Sequence, residues 1–371
     1  MQGVENGCAS IHTDYWPAAY NAQLLAVHEH GVKREARGTV SFELRPTMVV
    51  VKDTSARFVV LSGRGLNHCF AIAEAVSIIA SHNSVDFLQF YNSQIAAFSN
   101  DGKRFDGHYG ERLLYSRQLE YVIEELQRDP GSRRAMVTIW LPCRDTIAGS
   151  KDYPCNVIAM FKIADNKLDC HVVRRSSDII WGVPYDHVVF TILQDIVAAS
   201  LWIRPGRMVE TTDSLHLYHG VYDEVLSSAI KSARGDGAYA MMDGAQWCPL
   251  QTARDICRRI IEADARLREV PPTMFQIARD IQRSIPDGWW SDAWMTLAAY
   301  HLWKQGQFAA FLRVVGHVGI SFKSVLWSTF ETRIAAKTGK LGAGFLAEFR
   351  AATLMDAADE FWQKGASHDR A

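Results

Sequence analysis

Three short apolar runs followed by one long buried helix, with the polar residues gathered at the junctions, constrain this chain more than any other feature. Met136 to Trp140, Val157 to Ile163 and Lys167 to Val173 have strand length and strand composition. Asp165-Asn166 between the last two predicts a tight hairpin turn, because both residue types tolerate left-handed backbone. Pro184 then opens a helix to Ser200 that buries Val188, Ile192, Ile196 and Val197 at helical spacing. Arg204-Pro205-Gly206 ends that helix, and Met208 to Thr212 predicts another strand. Tyr153-Pro154-Cys155-Asn156 and Arg175-Ser176-Ser177-Asp178 stand at the junctions between these elements.

The flanking segments extend an α+β pattern. Residues 1–37 are mixed and predict a partly irregular start. Thr39 to Lys52 predicts one or two strands. A helix is expected from Asn67, as N-cap, to about Ala80, and a second after Ser116, as cap, with Leu119, Val122, Ile123 and Leu126 inward. Asp129-Pro130-Gly131 stops it. Composition changes near Gly235-Asp236-Gly237. Beyond residue 242 strand signals disappear, and helices are expected over Leu250–Leu267, Thr273–Ser284, Trp290–Lys304, Phe308–Val315 and Gly344–Lys364. Two domains are therefore expected, 1–242 and an all-α extension over 243–371. Trp289, Trp290, Trp294 and Trp303 are expected in the core of the extension.

Bulk properties narrow the function. A formal net charge of -1 supplies no basic field for nucleic acid. The polar start Met1-Gln2-Gly3-Val4 lacks the apolar core of a signal peptide, and Gln194 and Asp195 interrupt the longest apolar run, so no membrane span is expected. Seven cysteines without regular spacing and without a CxxC pair argue for a reducing, cytoplasmic setting and against a structural metal.

Cys155 is either a buried small hydrophobe or a nucleophile. The arginines Arg133-Arg134, Arg174-Arg175 and Arg34 or Arg37 favour the second reading, since nearby positive charge lowers a thiol pKa and guanidinium forks suit phosphate. The same arginines could equally lie on a solvated surface. Glu74 and Asp178 are acid/base candidates or partners for arginine. From the residues alone, the reading is a thiol enzyme acting on a phosphorylated substrate.

The motif order from Arg34 to Tyr222 resembles thymidylate synthase. Gly131-Ser132-Arg133-Arg134 resembles that family's paired arginines, and Pro154-Cys155 its nucleophile. Arg175-Ser176-x-Asp178-x-x-x-Gly182-Val183-Pro184-Tyr185 resembles its nucleotide motif, His216-Leu217-Tyr218 its sugar motif, Tyr109-Gly110 its Tyr-Gly pair, and Glu74 its catalytic glutamate. Two positions depart. Asp186 stands where the family has an Asn that reads uracil, and Asn156 where it has a His. Asp at that place is the pattern of the cytidylate hydroxymethylase branch, and the helical extension gives the whole chain a resemblance to the CMP 5-hydroxymethylases of mildiomycin-type antibiotic biosynthesis.

The Asp has a chemical rationale. An amide both donates and accepts, matching the N3–H and O4 of uracil; a carboxylate only accepts, matching the amino group of cytosine and repelling O4. Asp186 can also be read as a first-turn residue favoured by the helix dipole. The resemblance implies a thymidylate synthase-like mixed sheet with packed helices. It implies 5,10-methylenetetrahydrofolate as cofactor, with Cys155 adding to C6 of a pyrimidine nucleoside monophosphate, Glu74 and Tyr109 handling protons and water, and Asp178 meeting the pterin. It further implies Asp186 on the base, Arg34, Arg175 and Ser176 on the phosphate with Arg133 and Arg134 across a homodimer interface, and His216 and Tyr218 on the sugar. The expected reaction converts CMP to its 5-hydroxymethyl derivative. Arg133 and Ser176 match the deoxynucleotide enzymes, so dCMP is the alternative substrate. Methylation of dUMP, and a non-catalytic regulator that binds nucleotide on the same fold, are also compatible with these motifs.

Overall fold

In a computed structural model the central helix spans Val183–Ser200. The structure describes residues 2–5, 7–36, 38–61, 64–147, 149–221, 223–234, 239–240, 248–269, 273–286, 288–341 and 343–353. Arg37, Tyr222, the composition change at 235–237, the expected boundary after 242 and the end of the helix expected to Lys364 lie outside them. Val188, Ile192, Ile196 and Val197 are all fully buried, but so are Thr191, Gln194 and Asp195, so the helix is enclosed on all sides and not along one face.

Packing divides the chain into two units: Met1–Arg57 with Phe70–Glu224 and Trp247–Ile261, and Phe58–Cys69 with Val225–Gln246 and Glu262–Ala371. The first unit is α+β. Its larger sheet has seven strands in the order Gln2–Glu5, Cys8–Tyr15, Thr47–Asp53, Arg204–Thr212, Lys167–Arg174, Asn156–Ala164 and Met136–Thr138. Asn156–Ala164 and Lys167–Arg174 form the expected hairpin, with Asp165 and Asn166 at φ 50° and 55°, as a primed two-residue turn requires. Arg204–Thr212 runs parallel to Lys167–Arg174, the helix Val183–Ser200 forming the crossover between them. A second sheet orders Ser177–Asp178, Leu215–Tyr218, Thr39–Leu44 and Val32–Ala36.

Several local expectations change. The start of the chain is ordered: strands Gln2–Glu5 and Cys8–Tyr15 lead into helix Trp16–His30, which buries Trp16, Tyr20, Leu24 and Val27. Pairing with the rest of the sheet orders these strands, and no local pattern carries that information. Ser116 does not cap the following helix. That helix spans Gln118–Arg128 behind Arg117 at φ 58°, and the Ser116 hydroxyl donates instead to the Arg112 carbonyl of a preceding π-helical turn. The strand expected to Trp140 stops at Thr138.

Among the described residues of the second unit, 262–353 contain helices and no strand. Helices Met274–Gln282, Trp289–Lys304, Phe308–His317, Ile320–Ala335 and Ala343–Thr353 surround Trp294, Phe311 and Phe330, each fully buried. Trp289, Trp290 and Trp303 join that core as expected. The segment Phe58–Val59 pairs with Tyr239–Ala240 in this unit. No described helix is long and apolar enough to cross a membrane.

Candidate active site

The second sheet aligns one set of expected ligands on a single face. In the register, Arg34 lies opposite Ser41, which lies opposite Tyr218; Glu43 lies opposite His216, which pairs with Asp178. Residues opposite one another share a face, and residues two apart along a strand share it too. Arg34, Glu43, His216, Tyr218 and Asp178 therefore project to the same side. Arg34 is exposed, its Nε 3.6 Å from Glu43. The His216 and Tyr218 rings meet edge to face at 4.9 Å. The Asp178 carboxylate accepts from the backbone N–H of Ile180 at 2.6 Å and of Trp181 at 3.3 Å, shaping the turn into the central helix. Gly182 is required there: a Cβ would stand 2.7 Å from the Ser177 hydroxyl and 3.0 Å from the Asp178 carbonyl.

Cys155 immediately precedes strand Asn156–Ala164, at the end where Lys167–Arg174 leads into the nucleotide motif. Arg175 Nη2 and Ser176 Oγ each lie 3.9 Å from Cys155 Sγ. Arg175 also donates to the carbonyls of Pro154 at 2.8 Å and Tyr153 at 3.1 Å and covers the Trp140 ring. Burial pushes the Cys155 thiol up; Arg175 and the Ser176 hydroxyl oppose that shift, while the charge of Asp186 adds to it. The thiol thus has its cation, as the sequence implied, but in the ligand-free chain the cation does not outweigh burial.

Asp186 sits in the first turn of the central helix. Its carboxylate accepts from the Asn156 amide at 2.9 Å, and the same amide nitrogen donates to the Tyr109 hydroxyl at 2.9 Å. Burial pushes the Asp186 carboxyl up, against the pull of Arg174 and Asn156. Burial, followed by the charge of Asp186, raises the Tyr109 phenol well above its ordinary range. Glu74, on helix His68–Ala80, is pushed up to about 8 by burial and by like charge from Asp186 and Asp152. It is therefore a protonated acid at neutral pH.

Hydrogen bonds thus join Asn156, Tyr109 and Asp186, Arg175 and Ser176 lie beside Cys155, and the charge of Asp186 acts on Cys155, Tyr109 and Glu74. Among the described residues, Arg133 and Arg134 share no hydrogen bond with Cys155, Arg175 or Ser176; both are exposed, and Arg134 pairs with Glu125 at 2.9 Å. Sequence reasoning assigned no role to Asp152, which accepts from the Gly107 N–H at 2.6 Å, or to Glu210; Arg174, grouped with Arg175 as a cation for thiol or phosphate, is instead buried in an ion pair with Glu210 at 2.7 Å. Glu210 did leave a signal: a carboxylate in an otherwise apolar and β-branched strand needs a buried partner.

The site and fold place the chain in a known class. The family model described as thymidylate synthase matches residues 18–241, and the chain belongs to that family. It is 34% identical over 227 residues to the deoxyuridylate hydroxymethyltransferase of Bacillus phage SP01, covering 57% of this chain and 59% of that protein. Its identity to the deoxyuridylate hydroxymethyltransferase of Pseudomonas phage M6 is 30% over 201 residues, or 53% of this chain and 57% of the relative. With the enzyme of that description from Delftia phage PhiW-14 it is 29% over 223 residues, or 56% and 62%. The match therefore spans less than two thirds of each relative.

Proposed function

We propose that the protein is a pyrimidine nucleoside monophosphate C5-hydroxymethyltransferase whose substrate base is cytosine. The observation that carries the base choice is the Asp186 carboxylate, held by the Asn156 amide, the neighbour of Cys155, with its charge acting on the thiol. An ionised carboxylate offers about four lone-pair sites and no donor. With one oxygen taken by Asn156, it retains acceptors for an exocyclic amino group and none of the donors that O4 of uracil needs.

In this reading Cys155 Sγ adds to C6, which makes C5 nucleophilic, and leaves C6 once the new C5 substituent is complete. Arg175, 3.9 Å away, counters the thiolate charge. Arg34, Arg175 and Ser176 hold the 5′-phosphate, joined by Arg133 and Arg134 across a homodimer interface; the exposure of both supports this. His216 and Tyr218 hold the sugar from their shared face. Glu74, protonated at neutral pH, and the Tyr109 hydroxyl relay protons and order water. When bound, 5,10-methylenetetrahydrofolate supplies the one-carbon unit, which takes its hydroxyl from water. The residues fit a pterin: the Trp181 ring is 36% exposed and parallel to Tyr185 at 6.3 Å, with the acidic Asp178 beside it. Catalytic function is assigned to the region before residue 243.

A second reading, uridylate as substrate, is favoured by the names of the three phage relatives. Incubation with CMP, dCMP or dUMP and methylenetetrahydrofolate, read by product mass and folate spectrum, separates the readings. The proposal expects a 5-hydroxymethyl cytidylate with tetrahydrofolate released; turnover of dUMP alone transfers the assignment to uridylate, and stoichiometric dihydrofolate makes the enzyme a methylase. Comparing CMP with dCMP at equal concentration assigns the sugar. Cys155→Ala should abolish turnover and retain nucleotide binding; a variant that behaves like the parent would leave a binding module.

A further inference from the structure

We propose that Arg174, clamped by Glu210, is a positioning residue that sets base selection by fixing the Asp186 carboxylate and the Asn156 amide in one orientation. The inference rests on the reading of Asp186 as the group that meets the base edge.

The geometry is a chain of buried polar contacts behind the pocket. Arg174 Nε donates to the Asn156 amide oxygen at 2.9 Å and lies 3.6 Å from Asp186 Oδ2. Its Nη2 donates to Glu210 Oε1 at 2.7 Å. Glu210 Oε1 is 3.2 Å from His187 Nδ1, and the His187 ring stacks on Trp16 at 3.7 Å and 5°. Arg174 and Glu210 are each 1% exposed; Asn156 and His187 are fully buried. The backbone enforces the arrangement. Asn156 and Arg174 are register partners, and Arg174 pairs in turn with Thr212, two residues along from Glu210 on the same face.

The contacts also remove an ambiguity. A terminal amide can present either its oxygen or its NH2 group. Arg174 accepts no hydrogen bond, so it holds the Asn156 oxygen toward itself and turns the NH2 toward Tyr109 and Asp186. Its charge also opposes the burial that pushes the Asp186 carboxyl up. Burial works against both the Arg174 guanidinium and the Glu210 carboxylate. Their mutual attraction prevails: Glu210 is held down to about 2, and Arg174 stays above its ordinary range. Without the cation, Asp186 is free to keep a proton and to donate to O4 of uracil, and Asn156 is free to flip. Lysine cannot substitute, because it lacks the planar fork that reaches Asn156 and Glu210 together.

The test measures kcat/KM for dCMP and dUMP in the parent, Asp186→Asn, the charge-balanced pair Arg174→Gln/Glu210→Gln, and the triple variant. The ratio of the two substrates is the readout, since general damage to the fold lowers both alike. We expect the charge-balanced pair to shift the ratio toward dUMP at least tenfold, and to shift it no further when Asp186 is already Asn. A pair that lowers both substrates in proportion overturns the inference, as does one whose effect is undiminished in the Asp186→Asn background. Arg174→Lys, which keeps the buried charge, supplies the same ratio if the pair does not fold; an unchanged ratio there is equally fatal. If Asp186→Asn alone leaves the ratio unmoved, the base assignment fails and this inference with it. If Asp186→Asn moves the ratio and the Arg174 variants do not, only the inference fails.

Discussion

Raising the pH from about 5 to about 7 should destabilise the ligand-free protein through Glu74, and Glu74→Gln should remove that loss. An unfolded glutamate titrates near 4.5, whereas burial and the charges of Asp186 and Asp152 push Glu74 up to about 8. Between those values the folded chain keeps a proton that the unfolded chain has released. Stability from this group is therefore greatest below the unfolded value, falls as pH rises, and levels off above the folded value. One proton is worth about 1.4 kcal/mol per pH unit, so two units give about 3 kcal/mol at most. Glu74 is only partly buried, and water on its open side reduces the expected loss to about 2 kcal/mol. Chemical denaturation of parent and Glu74→Gln at matched pH isolates the effect, because every other titration is common to both. The stability difference should change by about 2 kcal/mol across the window, in favour of the variant at the higher pH. Parallel stability curves would falsify the claim that Glu74 holds its proton at neutral pH. The same group should give kcat/KM a limb that declines above about 8 and is missing in Glu74→Gln.

Three further outcomes follow from packing. Arg57 and Asp195 form a buried pair at 2.6 Å, so Asp195→Leu should cost about 3–5 kcal/mol in denaturant unfolding and Arg57→Met/Asp195→Leu should recover most of it; a single variant as stable as the parent contradicts this. Gly110→Ala brings a Cβ to 2.4 Å from the Ile78 carbonyl and should cost about 1–3 kcal/mol, with kcat lowered through the displaced Tyr109; unaltered stability and kcat would show that the approach is loose. Trp294→Ala should cost about 3–5 kcal/mol by thermal or denaturant unfolding, since the indole is fully buried and donates to the Ala278 carbonyl at 3.2 Å; a cost below about 1 kcal/mol would mean the cavity collapses freely.

The sequence by itself determined the hairpin around Asp165-Asn166, the burial of the apolar residues of helix Val183–Ser200 and the aromatic core of the late helices. Each is a local pattern: a turn chemistry or a helical repeat of apolar residues. It also supplied the candidates Cys155, Arg175, Ser176, Asp178 and Asp186 for the proposed site, because they lie in one stretch whose order carries the family resemblance. Tertiary structure alone decided what depends on distant partners. The strand Cys8–Tyr15 exists through its pairing with Thr47–Asp53 and in turn pairs with Gln2–Glu5, and the segment Phe58–Cys69 packs in the unit of the late helices. Arg174 and Arg175 are adjacent and identical in the sequence. Strand alternation carries Arg174 to the buried face of Leu168, Cys170 and Val172, while Arg175, beyond the strand, lies beside the thiol; only the sheet register decided that Arg174 meets Asn156 and Glu210.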